Sequence, residues 1–125
     1  MIEASTHLKV LMEKDERSVC LGPDGAVGHV TRVLRMISGR WKLPILFRLY
    51  AEPSMRTSQL KRDMPGISQK MLTQHLRELE SDGLVGRTDF GEQPLRVEYA
   101  LTDAGRNFMP VLIAARRFSE GHVGQ

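Results

Sequence analysis

Apolar side chains recur every three or four residues in five stretches of the chain, which is the spacing of one face of an α-helix. These stretches predict helices over residues 4–17, 30–37, 41–51, 68–82 and 102–118. The first is only weakly amphipathic, whereas the last is apolar over so much of its circumference that it needs two partners. The apolar positions are Leu8, Leu11 and Met12; Val30, Val33, Leu34 and Ile37; Ile45, Leu46 and Leu49; Leu72, Leu76 and Leu79; and Phe108, Val111, Leu112 and Ala115, widened by Met109 and Ile113.

Capping and turn residues mark the ends of these helices. Ser68 is a natural N-cap for the fourth helix and Thr102 for the fifth, and Asp82-Gly83 ends the fourth. A further short helix, capped by Ser58, is expected to end near residue 63. Pro110 should bend the last helix, because proline removes a backbone donor and its ring crowds the preceding turn.

Two strands are predicted after the fourth helix from the alternation of apolar and polar residues. They span residues 84–88 and 96–101, with Val97, Tyr99 and Leu101 on one side of the second. The loop DFGEQP between them contains a glycine and a proline, so the strands should form a hairpin. Two helices joined by a short turn and followed by a hairpin are the order of a winged helix-turn-helix. The expected fold is therefore mainly α with a small β-hairpin, in the α+β class.

The fourth helix carries an unusual polar face. At about 100° per residue, Lys70, Thr73, Gln74 and Arg77 lie opposite the leucines. All four are long or branched side chains that can donate a hydrogen bond, and the acids of this helix come only from Glu78 onward. A solvated helix surface usually mixes acids with bases. The face is therefore expected to meet a negatively charged partner.

Charge is distributed unevenly along the chain although its total is small. The 125 residues carry a formal net charge of +3, which by itself favours no partner. Residues 55–77 hold five basic residues and one acid, and residues 27–51 hold five basic residues and no acid, so the remainder is net acidic. In the second stretch, arginines such as Arg32 and Arg48 are expected to be solvated or paired with acids. Lys42, near a helix N-terminus, is the residue there expected to touch phosphate.

The single cysteine, the four histidines and the N-terminal segment limit the classes of function that the chain could have. The single cysteine, Cys20, excludes an internal disulfide framework and fits a reducing cytoplasm. The N-terminal stretch does not resemble a signal peptide and no segment has the length of a membrane span, so we expect an intracellular protein. The four histidines do not share metal-ligand spacing, and neither a metal nor a cofactor is expected. Cys20 with a histidine is the strongest nucleophile pairing that the sequence offers, and without a glycine-rich elbow or an acid pair it does not indicate an enzyme.

Three separated blocks of the sequence carry a family resemblance. In order, they are GRWKLPIL, RTSQLKRDMPGISQKMLTQHLRELESDGLVGRT and QPLRVEYALTDAG. Together they resemble the bacterial HxlR-type transcriptional regulators, within the MarR-like winged-helix class, over roughly residues 27–118. The resemblance implies a homodimer that binds an imperfect palindrome in double-stranded promoter DNA. It also implies a DNA-binding domain over 27–101, preceded by an N-terminal helix and connector in 1–26 and followed by a dimerisation helix and tail in 102–125.

The resemblance assigns the helix-turn-helix and the wing to DNA. Gln69, Gln74 and Arg77 can make bidentate contacts to base edges. The lysines of this region and Arg96 suit phosphates better. The residues expected at DNA are Ser68, Gln69, Lys70, Thr73, Gln74 and Arg77 on the recognition helix, Lys61 and Arg62 on the helix before it, Gln93 and Arg96 on the wing, and Lys42 and Arg56 beside them.

The first and last helices would form the dimer interface. A small dimer on a promoter blocks polymerase without needing an activating surface, so repression is expected rather than activation. A small-molecule effector would have to bind at this interface, because too little of the chain lies outside the DNA-binding core to form a ligand domain. The residues expected there are Leu8, Leu11, Met12, Phe108, Met109, Leu112, Ile113 and Phe118.

The chain departs from the family pattern at the cysteine. Many HxlR-type proteins have a cysteine at the start of the helix leading into the tryptophan, where oxidation or quinone addition switches DNA binding. Here Gly28-His29 takes that place and Cys20 lies eight positions earlier. A redox-responsive regulator switched through Cys20 is one alternative, because this thiol stands between Arg17 and a Gly/Pro-rich segment. The other is a winged helix that contacts protein and not DNA.

Overall fold

The computed structural model describes residues 20–123, which fall into two compact units. The first unit ends at Ser38 and the second begins at Gly39. The predicted helix over 4–17, with its candidate interface residues Leu8, Leu11 and Met12, lies outside the described residues. The domain boundaries expected at residues 26 and 101 stay predictions.

Helix α1 (Ala26–Met36) belongs to the first unit and begins four residues before the apolar stripe that predicted it. The preceding connector folds back on the helix, since Arg32 Nη1 donates to the Pro23 carbonyl at 2.8 Å. A Cβ at position 28 would overlap that same carbonyl, so only glycine permits this close approach. Arg32 is exposed, and its partners are this carbonyl and, at 2.9 Å, His29 Nδ1 rather than the acid that was one of the two expectations.

The second unit has the element order of a winged helix-turn-helix, as predicted. The hairpin is antiparallel, with Val85 opposite Leu101 and Asp89 opposite Val97. The first strand is shifted by one residue from the prediction, and the second begins one residue later than predicted but ends at the predicted residue. The elements are α2 (Lys42–Ala51), α3 (Thr57–Arg62), α4 (Gln69–Ser81), β1 (Val85–Asp89), β2 (Val97–Leu101) and α5 (Asp103–Val123).

The core of this unit lies where α2 meets α4, α5 and β2. The predicted apolar stripes of α2 and α4 are confirmed as its centre, because their side chains are all buried. Burying one such side chain contributes about 1.5–3 kcal/mol. The core residues from these two helices are Ile45, Leu46, Leu49, Leu72, Leu76 and Leu79. With this side of α4 inside the core, the opposite side faces outward.

Two predicted caps are confirmed and one is wrong. Ser68 Oγ accepts from the Met71 amide at 3.0 Å, and Thr102 Oγ1 accepts from the Gly105 amide at 3.0 Å. Ser58 does not cap α3, which begins one residue earlier. Instead the amide of Arg56 donates to the Gln59 side chain at 2.8 Å. The glutamine at the third helical position thus satisfies the backbone N–H of the N-cap residue, Arg56.

Helix α5 corrects part of the predicted dimer interface. Met109 and Leu112 are buried inside the unit, because the first half of α5 packs on α2 and β2. Phe108 and Ile113 are half-buried, whereas Phe118 is 72% exposed. The helix continues five residues beyond the predicted end, to Val123. Only the outward side chains of α5 are therefore open to a second molecule.

Within residues 20–123, no helix is both long enough and apolar enough to cross a membrane.

Candidate nucleic-acid interface

The outward face of α4 forms a shallow open depression of about 590 Å³. Lys70, Gln74 and Arg77 are exposed and Thr73 is half-buried, as the helical spacing predicted. The side chains of this face can form hydrogen bonds, and an α-helix fits the major groove of B-DNA, which is about 12 Å wide. The residues that line the depression are Gln69, Lys70, Thr73, Gln74, Arg77 and Glu78.

The N-terminus of α4 suits an anion. The Ser68 hydroxyl occupies the amide of Met71, and the first turn of the helix contains no acid that would offset its positive end. The free amides of a first helical turn and the helix dipole both favour negative charge. Lys70 lies in that turn and adds a full positive charge. This end of α4 can therefore hold a phosphate group.

Glu78 is a member of the α4 face that sequence reasoning missed. Its Oε2 accepts from Gln74 Nε2 at 3.3 Å, and Gln69 Nε2 donates to Thr73 Oγ1 at 3.4 Å one turn earlier. Glu78 stands four residues after Gln74, so the i,i+4 spacing was a signal that could have found it. The face thus includes one carboxylate among its donors.

Lys42 does not lie where the sequence placed it. Its side chain is 6% exposed, and Nζ lies 2.8 Å from Glu78 Oε1. A buried lysine paired with a carboxylate is not free to reach phosphate, so its expected DNA contact is wrong. The hydrogen bond from Lys42, followed by that from Gln74, lowers the pKa of Glu78 from 4.5 to about 2. Glu78 is therefore ionised at neutral pH, and Lys42 balances its charge.

His75 lies beneath the same pair. In the sequence His75 stands between the leucine stripe and the polar face of α4, which predicts a partly buried or groove-edge histidine, and the residue is only 6% exposed. Its Nδ1 is 3.5 Å from Glu78 Oε1, and among the described residues neither ring nitrogen has a hydrogen-bond partner. The 3.5 Å separation is too long for a well-formed hydrogen bond. The ring edge packs against Gly39, so His75 is a core residue and not a ligand.

Helix α3 presents further basic residues on the surface. Lys61, Arg62 and Arg56 are all exposed. Arg48, by contrast, pairs with Asp63, with Nη2 at 2.7 Å and Nε at 2.8 Å from Oδ2. The expectation that Arg48 pairs with an acid is confirmed.

The wing neutralises its own charge. Arg96 Nε lies 2.9 Å from Glu98 Oε2 and Nη1 lies 3.2 Å from Glu92 Oε1, while the guanidinium lies over the Phe90 ring at 3.9 Å. Glu98 also accepts from Ser54 Oγ at 2.6 Å, and this bond is the main cause of its lowered pKa. Arg96 is thus paired with two carboxylates of the wing, and its assignment as a phosphate contact stays a prediction.

Two further residues of the wing, Gln93 and Arg87, are exposed. Gln93 is exposed in the loop, as the DNA assignment required. Arg87 on β1 is also exposed and was missed, although its place in the strand next to the loop was readable from the sequence. Among the described residues, no three His, Cys, Asp or Glu side chains lie together in a way that could hold a metal ion.

Comparison with known proteins decides the family. The family model for the HxlR-like helix-turn-helix matches residues 36–125, which include all of α2 to α5. The chain belongs to the HxlR-like helix-turn-helix family. The match confirms the resemblance read from the three sequence blocks. It makes this HxlR-like protein a transcriptional regulator with a winged helix-turn-helix of the MarR-like class.

The HxlR-like chain is similar to several known proteins over most of their length. The uncharacterised HTH-type transcriptional regulator YtcD of Bacillus subtilis strain 168 is 43% identical over 96 residues, which are 77% of this chain and 75% of that protein. The ytcD crystal structure has a TM-score of 0.71 and is covered to 97%. A MarR-family regulator from Enterococcus faecalis V583 is 37% identical with a TM-score of 0.74, covering 78% of this chain and 87% of that one.

A third similar structure is a redox regulator. HypR in its oxidised form is 36% identical with a TM-score of 0.66, covering 74% of this chain and 94% of that one. Cys20, the single cysteine of this HxlR-like chain, is half-buried.

Proposed function

We propose that this protein is a sequence-specific DNA-binding regulator that inserts α4 into the major groove. One observation carries the proposal: the leucine face of α4 is buried in the core while its opposite face presents Lys70, Gln74 and Arg77 to solvent. That arrangement supports a helix held rigidly by the fold with its readout groups pointing outward. The family supports the same reading, because the HTH-type relatives are transcriptional regulators.

The roles of the residues follow from their chemistry. Gln69, Gln74 and Arg77 suit base edges, since amide and guanidinium groups can pair with them in bidentate fashion. Basic residues around them suit phosphates, and the N-terminus of α4 can hold one phosphate through its free amides. Thr73 can contact either. The proposed phosphate contacts are Lys70, Lys61, Arg62 and Arg56, with Ser68 at the helix N-terminus and Gln93 on the wing.

We also propose that the protein acts as a homodimer on a palindromic site. Val111 and Phe118 on α5 are exposed apolar side chains, and on α1 the same is true of Val27, Val30 and Leu34. Exposed apolar side chains at helical spacing suit contact with a second helix. In a symmetric dimer the two α4 helices would read half-sites about one helical turn of DNA apart.

Repression is the proposed outcome of binding. The described residues fold into α1 and the winged unit, and a dimer of this size on a promoter excludes polymerase simply by occupying the site. A small-molecule effector would act at the dimer interface by changing the spacing of the two α4 helices.

Fluorescence anisotropy tests the proposal directly. The purified protein is titrated against the duplex upstream of its own gene and against a scrambled duplex, at several salt concentrations. We expect selective binding that weakens steeply as salt rises. R77A should lose affinity and selectivity, whereas R106A, which removes an exposed arginine of α5, should bind like the wild type. If neither duplex binds at low salt, the protein-contact alternative replaces this proposal.

A redox-responsive regulator is the second candidate, favoured by the likeness to HypR. With one cysteine per chain, oxidation of Cys20 would join two protomers through an intermolecular disulfide, each thiol losing one proton and one electron to the oxidant. Oxidant titration of the wild type and C20S should then separate their DNA affinities. Equal affinities at every oxidant concentration would remove this candidate and leave the first intact.

A further inference from the structure

Lys42, Glu78 and Gln74 form a chain of hydrogen bonds between two helices, called the relay below, that ends on the outward face of α4. Lys42 Nζ, at the start of α2, lies 2.8 Å from Glu78 Oε1, and Glu78 Oε2 lies 3.3 Å from Gln74 Nε2. The three differ sharply in exposure, since Lys42 is buried, Glu78 is half-buried and Gln74 is exposed. The relay therefore runs from the core to the surface.

The chemistry of the relay fixes the orientation of the Gln74 amide. A carboxylate can only accept hydrogen bonds, so the group of Gln74 that approaches Glu78 must be its NH₂ and not its carbonyl. One N–H is used in this contact. When the N–H trans to the carbonyl oxygen makes this contact, the carbonyl oxygen and the other N–H remain side by side on the outward edge of the amide.

That outward edge matches one base edge in particular. Adenine presents a donor at N6 and an acceptor at N7 in the major groove, which pair with a carbonyl and an N–H held side by side. Guanine presents two acceptors there, so a fixed amide would place its carbonyl against another acceptor. An untethered glutamine could rotate its amide and accept a poorer pairing.

We propose that Lys42 and Glu78 are positioning residues that set the base specificity of Gln74 to adenine. The proposal rests on the proposed function, because it assumes that α4 reads the major groove. Glu78 holds the amide from behind, and Lys42 holds Glu78 from inside the core, where DNA phosphates cannot reach it to compete.

The electrostatics of the face support the same arrangement. A carboxylate beside the DNA would repel phosphates if its charge were not balanced. Lys42 provides that balance at 2.8 Å, in a buried position where salt screens little. Because the pKa of Glu78 is about 2, the carboxylate stays ionised, and the relay stays intact, at neutral pH.

Selection from a randomised duplex library tests the proposal. Base preferences are measured for the wild type, Q74A, E78Q and K42M. Q74A identifies the position that Gln74 reads, where the wild type should select adenine. E78Q can both donate and accept, so the Gln74 amide should lose its fixed orientation. We expect the preference for adenine over guanine to fall about tenfold at that position, in E78Q and in K42M alike.

The controls separate specificity from stability. R77A should relax a different position of the site, and a purely structural role for Glu78 would weaken all positions equally. Because K42M and E78Q each change one half of an ion pair, the double variant K42M/E78Q is included, which leaves no unpaired buried charge. Unchanged preference in all three relay variants, uniform weakening, or selection of another base by Gln74 would overturn the proposal.

A measurement without DNA keeps the two proposals apart. The side-chain amide protons of Gln74 are followed by NMR in the free protein. They should shift in E78A and not in E80A, which removes an exposed carboxylate of the same helix. If this shift appears but the wild type selects no sequence, the proposed function has failed, whereas the hydrogen bond between Gln74 and Glu78 is confirmed. If the wild type is selective but the shift is absent, the relay has failed alone.

Discussion

Met55 and Tyr99 exchange both backbone hydrogen bonds, at 2.9 Å from the Met55 amide to the Tyr99 carbonyl and 2.8 Å in the opposite direction. Met55 thereby adds a single rung to β2, on the segment between α2 and α3. This rung connects the helix-turn-helix directly to the wing. The two parts that would meet DNA are therefore fixed relative to one another by backbone contacts as well as by the core.

Truncation of Met55 should be costly. Its side chain is 3% exposed, and M55A removes buried atoms and leaves a cavity, so we expect a loss of about 3 kcal/mol in the free energy of unfolding. Urea denaturation measures it. M71A is the matched control, since Met71 is 40% exposed and its loss should change stability by less than about 0.5 kcal/mol. Equal effects of the two substitutions would contradict the burial of the Met55 side chain.

Thr102 joins two elements through one hydroxyl. Its Oγ1 donates to the Gly83 carbonyl at 2.6 Å and accepts from the Gly105 amide at 3.0 Å, so it both caps α5 and binds the end of α4. T102V keeps the shape and removes both bonds, and it should lower the free energy of unfolding by about 1–2 kcal/mol. T88V, on the exposed side of β1, should have little effect in the same thermal or urea denaturation.

The Glu78 carboxylate should contribute a recognisable acid dependence. Its pKa falls to about 2 in the folded protein from an ordinary value of 4.5, so its stabilisation is fully present above pH 4.5. As the pH falls from about 4.5 towards 2, the unfolded chain takes up the proton first and this stabilisation is lost. Melting temperatures measured across this interval should fall less steeply for E78Q than for the wild type. E80Q should keep the wild-type slope, and a wild-type slope in E78Q would contradict the assignment.

Salt dependence distinguishes phosphate contacts from internal pairs. Lys61 is exposed on α3, so K61A should reduce the slope of log affinity against log salt by about 0.9. Arg96 is held between Glu92 and Glu98, and R96A should change this slope much less. Anisotropy titrations at four or more salt concentrations give both slopes. A change in R96A as large as that in K61A would show that Arg96 leaves its carboxylates to bind phosphate.

The proposed dimer should depend on the end of α5. Phe118 is 72% exposed, and F118E would place a charge in the apolar contact between two copies. We expect at least about a tenfold weaker self-association by sedimentation equilibrium. F90E, which alters an exposed phenylalanine of the wing loop, is the control for added charge and should associate like the wild type. A wild-type protein that is monomeric at high concentration would remove the dimer proposal.

The elements of the second unit were predictable because their signals are local. The leucine period of α4 and the capping hydroxyl of Ser68 both act within a few residues, so sequence alone places the helix and its outward face. Long-range pairs were not predictable in this way. Nothing near Lys42 in the sequence indicates that a carboxylate far along the chain takes its ammonium group.

The buried side of helix α5 could not be predicted from the sequence either. Its stripe runs without interruption from Phe108 to Ala115, yet Met109 is buried and Val111 is exposed. Which side of such a helix is covered depends on where α2 and β2 lie, and no periodicity contains that information. Lys70, Gln74 and Arg77 on α4 were identified correctly as exposed for the opposite reason, because one face alone is apolar there.

The charge balance of the wing has a consequence for the order in which contacts with DNA would form. From Val85 to Leu101 the wing holds Arg87 and Arg96 against three carboxylates, so it contributes no attraction at a distance. The field that draws a polyanion comes from Lys61 and Arg62 on α3 and from Lys70 at the N-terminus of α4, since α4 as a whole carries two basic residues and two acids. Since salt limits such attraction to about 8–10 Å, those helices would guide the encounter, and the wing would engage only after they are seated. The association rate should then be set by the helices, and the wing would mainly affect how long the complex lasts.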